Sequence, residues 1–269
     1  MTSSQPILNS PAAYAALARF YDLQHASYTP DVELYKHFAA ECRVRHPGSA
    51  ILEIGSGSGR VMIPLVEEGY RVVGVDESPE MLQIARDRLA RIPAEFWQVI
   101  EADACAPSDL LTERFGMAFI ALNTFLHNQT RQNQLAMLSM ARRSLLPGGI
   151  LIVDLPPNDE LAYQPDSGEY EYEATLIDPL TDVVSEKYVA SEVFWAEQAQ
   201  LLSYRIESKS SAGDTTQAQV VSFKLRHVFR YEMELLLLSS GFSDCQWFGD
   251  YDMSEYGESS PRMIAVAKA

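Results

Sequence analysis

The sequence predicts a doubly wound α/β fold: a mostly parallel, seven-stranded, Rossmann-like sheet carrying an inserted antiparallel β-meander. Three observations predict it. Short apolar runs alternate with helical stretches from Ala50 to Leu155. The first of those runs leads straight into a glycine-rich turn. After Leu155 the rhythm changes to segments of alternating polarity, and only the last forty or so residues return to the earlier pattern.

Taken in order, residues 13–46 read as two helices. Tyr14, Ala15, Leu17, Ala18 and Tyr21 gather on one side of the first. Pro30-Asp31 opens the second, which runs through Tyr35, Phe38 and Ala39 and closes at Pro47-Gly48. Ile51–Ile54, Val72–Val75, Phe96–Ile100, Met117–Leu122 and Ile150–Leu155 have the length and apolarity of buried parallel strands. Helical stretches at 59–68, 79–92 and 131–145 separate them, as right-handed crossovers require. Leu146-Pro147-Gly148-Gly149 is expected as the turn before the fifth strand. Val183–Val193, Leu201–Ser208 and Gln217–Val228 alternate as strands of a meander, with a hairpin tip at Ser210–Asp214. Phe194 and Trp195 would face opposite sides of such a strand if it is regular. A last helix, Tyr231–Ser240, stops at Gly241, and strands at Cys245–Phe248 and Met263–Ala267 rejoin the main sheet. The expected organisation is therefore a helical cap over 1–47, an α/β domain over 48–156 and 229–269, and a β insert over 157–228.

Composition narrows the function. With 21 Lys and Arg against 37 Asp and Glu, the net charge of −16 repels phosphate backbones, so nucleic acid is not an expected partner. No apolar run reaches the length of a membrane span, and Met1–Pro11 lacks a basic, apolar leader. The three cysteines, Cys42, Cys105 and Cys245, are odd in number and widely spaced. They predict no metal site and no disulfide framework, and a reducing cytoplasm as the setting.

The chemistry is concentrated in Ile51-Leu52-Glu53-Ile54-Gly55-Ser56-Gly57-Ser58-Gly59-Arg60. A strand runs into glycines at alternate positions and then into a helix, so a ligand can lie against backbone with no Cβ between. Val72-Val73-Gly74-Val75-Asp76 is a second strand ending in an acid, placed to accept hydrogen bonds from the ribose hydroxyls of a nucleoside. A dinucleotide fingerprint wants its third glycine at position 60, where this chain has Arg60, and the lysine signature of a phosphate loop is missing. S-adenosylmethionine is the cofactor that remains. Asp103, in Glu101-Ala102-Asp103-Ala104 after the third strand, is placed to accept from an adenine amino group, or is simply a turn residue. Asn123 ends the fourth strand on the ligand side.

Candidates for the transfer itself are fewer. His127, just past Asn123, is the best candidate base, with a plain surface histidine as the alternative. Tyr14, Tyr21 and Tyr28 offer aromatic faces to a sulfonium, or pack a helix. Arg230, Arg262 and His227 could bind an acidic acceptor, or pair with the many acids of this chain.

Together these motifs resemble the class I S-adenosylmethionine-dependent methyltransferases, from about Tyr14 to the end of the chain. The resemblance implies cofactor contacts from Glu53, Gly55, Ser56, Gly57 and Arg60, then Asp76, Glu77 and Met81 of Gly74–Leu82, then Asp103 and Ala104, and finally Leu122 and Asn123. Tyr21-Asp22, the inserted meander, Gly249-Asp250-Tyr251-Asp252 and Ser260-Pro261-Arg262 are similar to the subgroup of deoxyaminosugar and glycine or sarcosine N-methyltransferases. That likeness implies that Tyr21 and Tyr35 cover the methionine end of the cofactor, Tyr21 beside the transferring methyl. It also implies that the insert caps the acceptor or pairs subunits into a homodimer. The expected activity is methyl transfer to N, O or C of a small metabolite. Another reaction of the same cofactor, or binding without turnover, stays open.

Overall fold

A computed structural model of the chain describes residues 7–8, 11–25, 28–106, 111–157, 168–209 and 215–269. They fall into two compact units, Met1–Ser27 with Asp159–His227, and Tyr28–Asn158 with Val228–Ala269.

The second unit is the α/β one. Its helix α2 (Pro30–Arg45) starts on a proline, which lacks an N–H that the first turn could not have paired. Asp31 and Glu33 in its first turn and Arg43 and Arg45 in its last complement the helix dipole. Strands β2 (Ala50–Ile54), β3 (Val72–Asp76), β4 (Trp97–Glu101), β5 (Phe115–Ile120) and β6 (Leu145–Leu155) pair in parallel with one another. β11 (Ser243–Phe248) and β12 (Met263–Lys268) complete the sheet in the order β11-β12-β6-β5-β2-β3-β4, with β12 antiparallel to both neighbours. Every residue of β2 and β5 is buried, as helices on both faces of a parallel sheet demand. The crossovers are α3 (Met62–Glu67), α4 (Pro79–Leu89) and α5 (Arg131–Ser144), and α6 (Arg230–Ser239) leads back to β11. The strand order reverses between β2 and β5, which places the switch point, and hence the ligand crevice, at the carboxyl ends of those strands.

Two details differ from expectation. α3 starts at Met62 rather than near 59, because Gly59 and its neighbours are spent on the glycine turn. β6 begins at Leu145, so the expected turn at 146–149 is an irregular stretch of strand. Leu145 pairs with Phe115, the register shifts, and Ile150 resumes opposite Met117. The backbone of Gly148 and Gly149 is paired with Ala269, and this holds the strand extended.

The first unit is a five-stranded sheet in the order β1-β10-β9-β8-β7. It comprises β1 (Ile7–Leu8), β7 (Glu171–Ile177), β8 (Val184–Phe194), β9 (Ala199–Lys209) and β10 (Thr215–Arg226), antiparallel apart from the short β1–β10 pair. Helix α1 (Pro11–His25) belongs to this unit, where Phe20 meets Leu176 and Ile206, and Tyr14 lies 5.1 Å from the ring of Phe223. The expected helical cap over 1–47 is therefore not a unit of its own: α1 sides with the meander and α2 with the α/β sheet. Gln24 of α1 also accepts from the buried ammonium of Lys187, which pairs with Glu173 at 2.8 Å. β8 stops at Phe194, and the exposed Trp195 opens a short turn, so the two aromatics do not alternate across a regular strand. The expected hairpin tip at 210–214 lies outside the described residues. Among the described residues no helix is long and apolar enough to cross a membrane.

This unit carries a pH prediction. His227 is buried beside Gln200, and desolvation lowers its pKa to about 4. The unfolded chain binds a proton near pH 6.5 that the folded chain refuses until about pH 4. The contribution is whole above pH 6.5 and is lost as pH falls toward 4, by as much as about 3 kcal/mol. Melting temperatures of His227→Gln measured across that window are expected to fall less steeply than those of the parent.

Candidate functional site

The crevice is built by the turn that follows β2. Gly55 has φ +76°, and a Cβ there would lie 2.3 Å from the methyl of Thr124, so only glycine lets the turn reach the segment after β5. Gly74 of β3 meets the same turn from the other side, where a Cβ would strike Ser56 Oγ at 2.6 Å. The amides of Gly55 and Ser56 both donate to the carbonyl of Val75, which ties the turn to the end of β3.

Asp76 closes the arrangement. Its half-buried carboxylate accepts from Gly57 N through Oδ2 at 2.8 Å and from Ser78 N through Oδ1 at 2.9 Å. Each oxygen has a second lone pair left for a ligand hydroxyl. Burial raises the Asp76 pKa, and these two amides, with that of Glu77, pull it back. Ser78 then caps α4 by accepting from Met81 N at 3.3 Å, and Met81 lies buried beneath, its methyl 3.5 Å from where a Gly57 Cβ would sit. Glu77 is exposed beside Asp76, its pKa raised by desolvation and by the charges of Asp103 and Asp76. Asp103 and Ala104 follow β4, where the Asp103 carboxylate accepts from Cys105 N at 2.7 Å. So the structure brings Gly55, Ser56, Gly57, Asp76, Glu77, Met81, Asp103 and Ala104 to adjacent strand ends.

Glu53 sits inside, 2% exposed, its Oε2 without a hydrogen-bond partner and its pKa pushed well up by burial. Ser56 Oγ is a second buried oxygen with no partner. Orphaned oxygens are costly in a finished core, and here both stand at the glycine turn, as expected where a polar ligand or water completes the set.

Other expected residues have different places. Arg60 turns its guanidinium into a two-pronged pair with Asp31 of α2 and also donates to the Tyr28 carbonyl at 2.9 Å. It ties the turn to α2, because a carboxylate that is fully buried needs a partner. Tyr35, expected over the methionine end, lies fully buried with its ring stacked on Phe119 at 4.4 Å, and its hydroxyl is a further buried oxygen with no partner. Tyr21 lies on α1 in the other unit, its ring 4.6 Å from that of His25. Tyr14 also lies there, whereas Tyr28 belongs to the α/β unit and meets Tyr251 edge-on at 6.1 Å. Arg230 pairs with Glu234 and lies over Trp247.

Leu122 and Asn123 form the corner after β5, and His127 ends the helical turn Thr124–His127 that follows. Desolvation lowers the His127 pKa to about 4, so the imidazole is neutral at pH 7 and a weak base. Sequence reasoning missed Asp31, Asp154 and Tyr251. Asp154 did leave a signal, an acid inside the apolar run at the carboxyl end of a parallel strand.

Comparison with known proteins agrees with this geometry. Residues 51–149 match a family model described as a methyltransferase domain. A demethylmenaquinone methyltransferase of Tropheryma whipplei is 34% identical over 106 residues, 39% of this chain and 41% of that protein. A carboxy-S-adenosyl-L-methionine synthase of Pseudomonas putida is 32% identical over 124 residues, 41% of this chain and 47% of that one. The chain thus spans less than half the length of these curated relatives. A SAM-bound amino pentose methyltransferase of Micromonospora echinaspora has the same fold, with a TM-score of 0.67, 17% identity, and coverage of 93% of this chain and 94% of that one. The sheet is therefore the fold of that methyltransferase, and residues 51–149 are similar to a methyltransferase domain.

Proposed function

We propose that this chain is an S-adenosylmethionine-dependent methyltransferase acting on a small metabolite. The observation that carries the proposal is Asp76: a carboxylate bonded to the glycine turn through Oδ2 and to the entry of α4 through Oδ1, each oxygen keeping a lone pair for a vicinal diol. The residues fit the cofactor. Asp76 and Glu77 would hold the ribose, Asp103 and Ala104 the adenine, with Met81 beneath. Gly55, Ser56, Gly57, Leu122 and Asn123 would line the methionine and sulfonium end. The unpartnered Glu53 Oε2 offers an acceptor to its ammonium.

The bound cofactor supplies an activated methyl group, so the protein's task is to align the acceptor with it and to keep water out. Such alignment contributes about 7–11 kcal/mol, whereas a general base adds about 10²–10⁴-fold. His127, neutral at pH 7, suits an amine acceptor that arrives unprotonated better than a hydroxyl that must lose a proton. In this reading the partners are a small acceptor and a second copy of the chain, without nucleic acid, in the cytoplasm. A second reading is modification of the cofactor itself, favoured by the likeness to a carboxy-S-adenosyl-L-methionine synthase. Incubation with methyl-labelled cofactor and a metabolite extract separates the two: label enters a small product in the first, and the cofactor is altered in the second.

Ligand choice is tested directly. A ligand that binds only the folded state adds about 2.7 kcal/mol at one hundred times its Kd. S-adenosylmethionine or S-adenosylhomocysteine is expected to raise the melting temperature while NAD leaves it unchanged. The opposite ranking in a thermal-shift assay would overturn the cofactor assignment.

A further inference from the structure

The corner after β5 is strained. Leu122 has φ 38° and Asn123 φ 63°, two consecutive non-glycine residues in the left-handed region. Bulky residues stay there only where the surroundings over-determine them, and such strain collects at functional sites. Here the surroundings are a polar cluster that the cofactor contacts do not use.

Asp154, the penultimate residue of β6, is its hub and is fully buried. Its Oδ1 accepts from Arg262 Nε at 2.8 Å and Nη2 at 2.7 Å, and its Oδ2 from Tyr251 OH at 2.9 Å and Leu122 N at 3.3 Å. The Asp154 carbonyl takes Asn123 N at 3.1 Å. Arg262 Nη2 also reaches Asn123 Oδ1 at 2.8 Å. One guanidinium therefore grips the carboxylate and the strained residue together. Arg262 and Tyr251 are delivered by the long β11–β12 connection, which is closed on itself by Arg262 N on Gly249 O and Gly249 N on Ser254 O. On the far side of the corner, Thr124 fills the space over Gly55 that a side chain would take. The chain of contacts runs from Arg262 through the corner to the glycine turn.

We propose that Arg262, acting through Asp154 and Asn123, is a positioning residue that locks the Leu122–Asn123 corner against the glycine turn and so shapes the sulfonium end of the cofactor site. The proposal rests on the cofactor reading above. Arginine suits the place because Nε and Nη2 both hold Asp154 Oδ1 while Nη2 also reaches Asn123 Oδ1, three donations fixed in one plane that the rotatable ammonium of lysine does not hold in register. A buried ion pair kept for stability alone would need only the charge.

The experiment uses the full chain, S-adenosylhomocysteine titrated by calorimetry, and thermal melts. Arg262→Lys keeps a cation at Asp154 but loses the fork. Its affinity is expected to fall about fivefold or more, the penalty of a corner that no longer holds its shape. Adding Asn123→Gly to that variant is expected to recover most of the loss, since glycine adopts the left-handed conformation without steric cost. Arg262→Met is expected to lose more affinity, with the same partial rescue. Parent-like affinity in Arg262→Lys, or a loss that Asn123→Gly leaves untouched, would overturn the proposal. Absence of binding by the parent would instead sink the cofactor reading, and the lock is then judged by the melts alone. Asn123→Gly should raise the melting temperature in the Arg262→Lys background but not in the parent. Equal shifts in both backgrounds count against the lock.

Discussion

Asp76→Ala is expected to lower the affinity for S-adenosylhomocysteine by about tenfold or more. Two hydrogen bonds to an ionised acceptor are lost, each worth about 1.5–3 kcal/mol. The structure adds a second route to the same loss. Asp76 also anchors Gly57 N and Ser78 N, so the alanine variant loosens the glycine turn and the entry to α4. Asp76→Asn is the informative companion: it keeps the volume, but its amide group must face either an amide N–H or the ribose. Calorimetry should show both variants weakened while circular dichroism retains the parallel-sheet signature. An Asp76→Ala protein that binds as tightly as the parent would dismiss the ribose assignment.

The second large effect is on stability. Asp31→Ala removes the ion-pair partner of Arg60, whose side chain is only 8% exposed. An uncompensated buried charge costs about 3–5 kcal/mol, against near-neutrality when both partners are replaced by apolar groups. Asp31→Ala should therefore lower the melting temperature by about 10 °C, at roughly 2–4 °C per kcal/mol for a protein of this size. The double variant Asp31→Leu with Arg60→Met should return much of it. If the double variant melts as low as the single one, the cost lies in lost packing of α2 rather than in a stranded guanidinium.

Much of this arrangement is legible in the sequence. The glycine turn and Asp76 are readable because their partners are local: a strand, a turn and a helix in unbroken succession, then an acid one strand later. The parallel sheet was readable for a similar reason, since each buried strand is a short apolar run bounded by turn residues. What escaped is non-local. Arg60 meets Asp31 across 29 residues and Arg262 meets Asp154 across 108, and no periodicity encodes either distance. The place of Tyr35 is equally non-local: an aromatic on a helix near the glycine turn serves the core and the crevice equally well in sequence terms, and its stacking on Phe119 spans 84 residues. The partner of α1 is as distant, a sheet face more than 140 residues downstream. β6 starts early because its irregular first turn is pinned by Ala269, at the opposite end of the chain.

β12 lies between β6 and the edge strand β11, yet the chain makes β6 and β12 on either side of Asp159–His227, the larger part of the other unit. A ribosome releases β2 through β6 first, and these strands can pair at once through short crossovers. β6 then presents a bare edge from Ile150 to Leu155 while the intervening segment is synthesised. Unpaired edges are templates for foreign strands, and the hazard lasts as long as the edge does. Closing the long loop costs little extra at equilibrium, because that entropy grows only with the logarithm of loop length. The exposure is one of time. The nascent chain is most vulnerable to mispairing between the emergence of Leu155 and that of Met263.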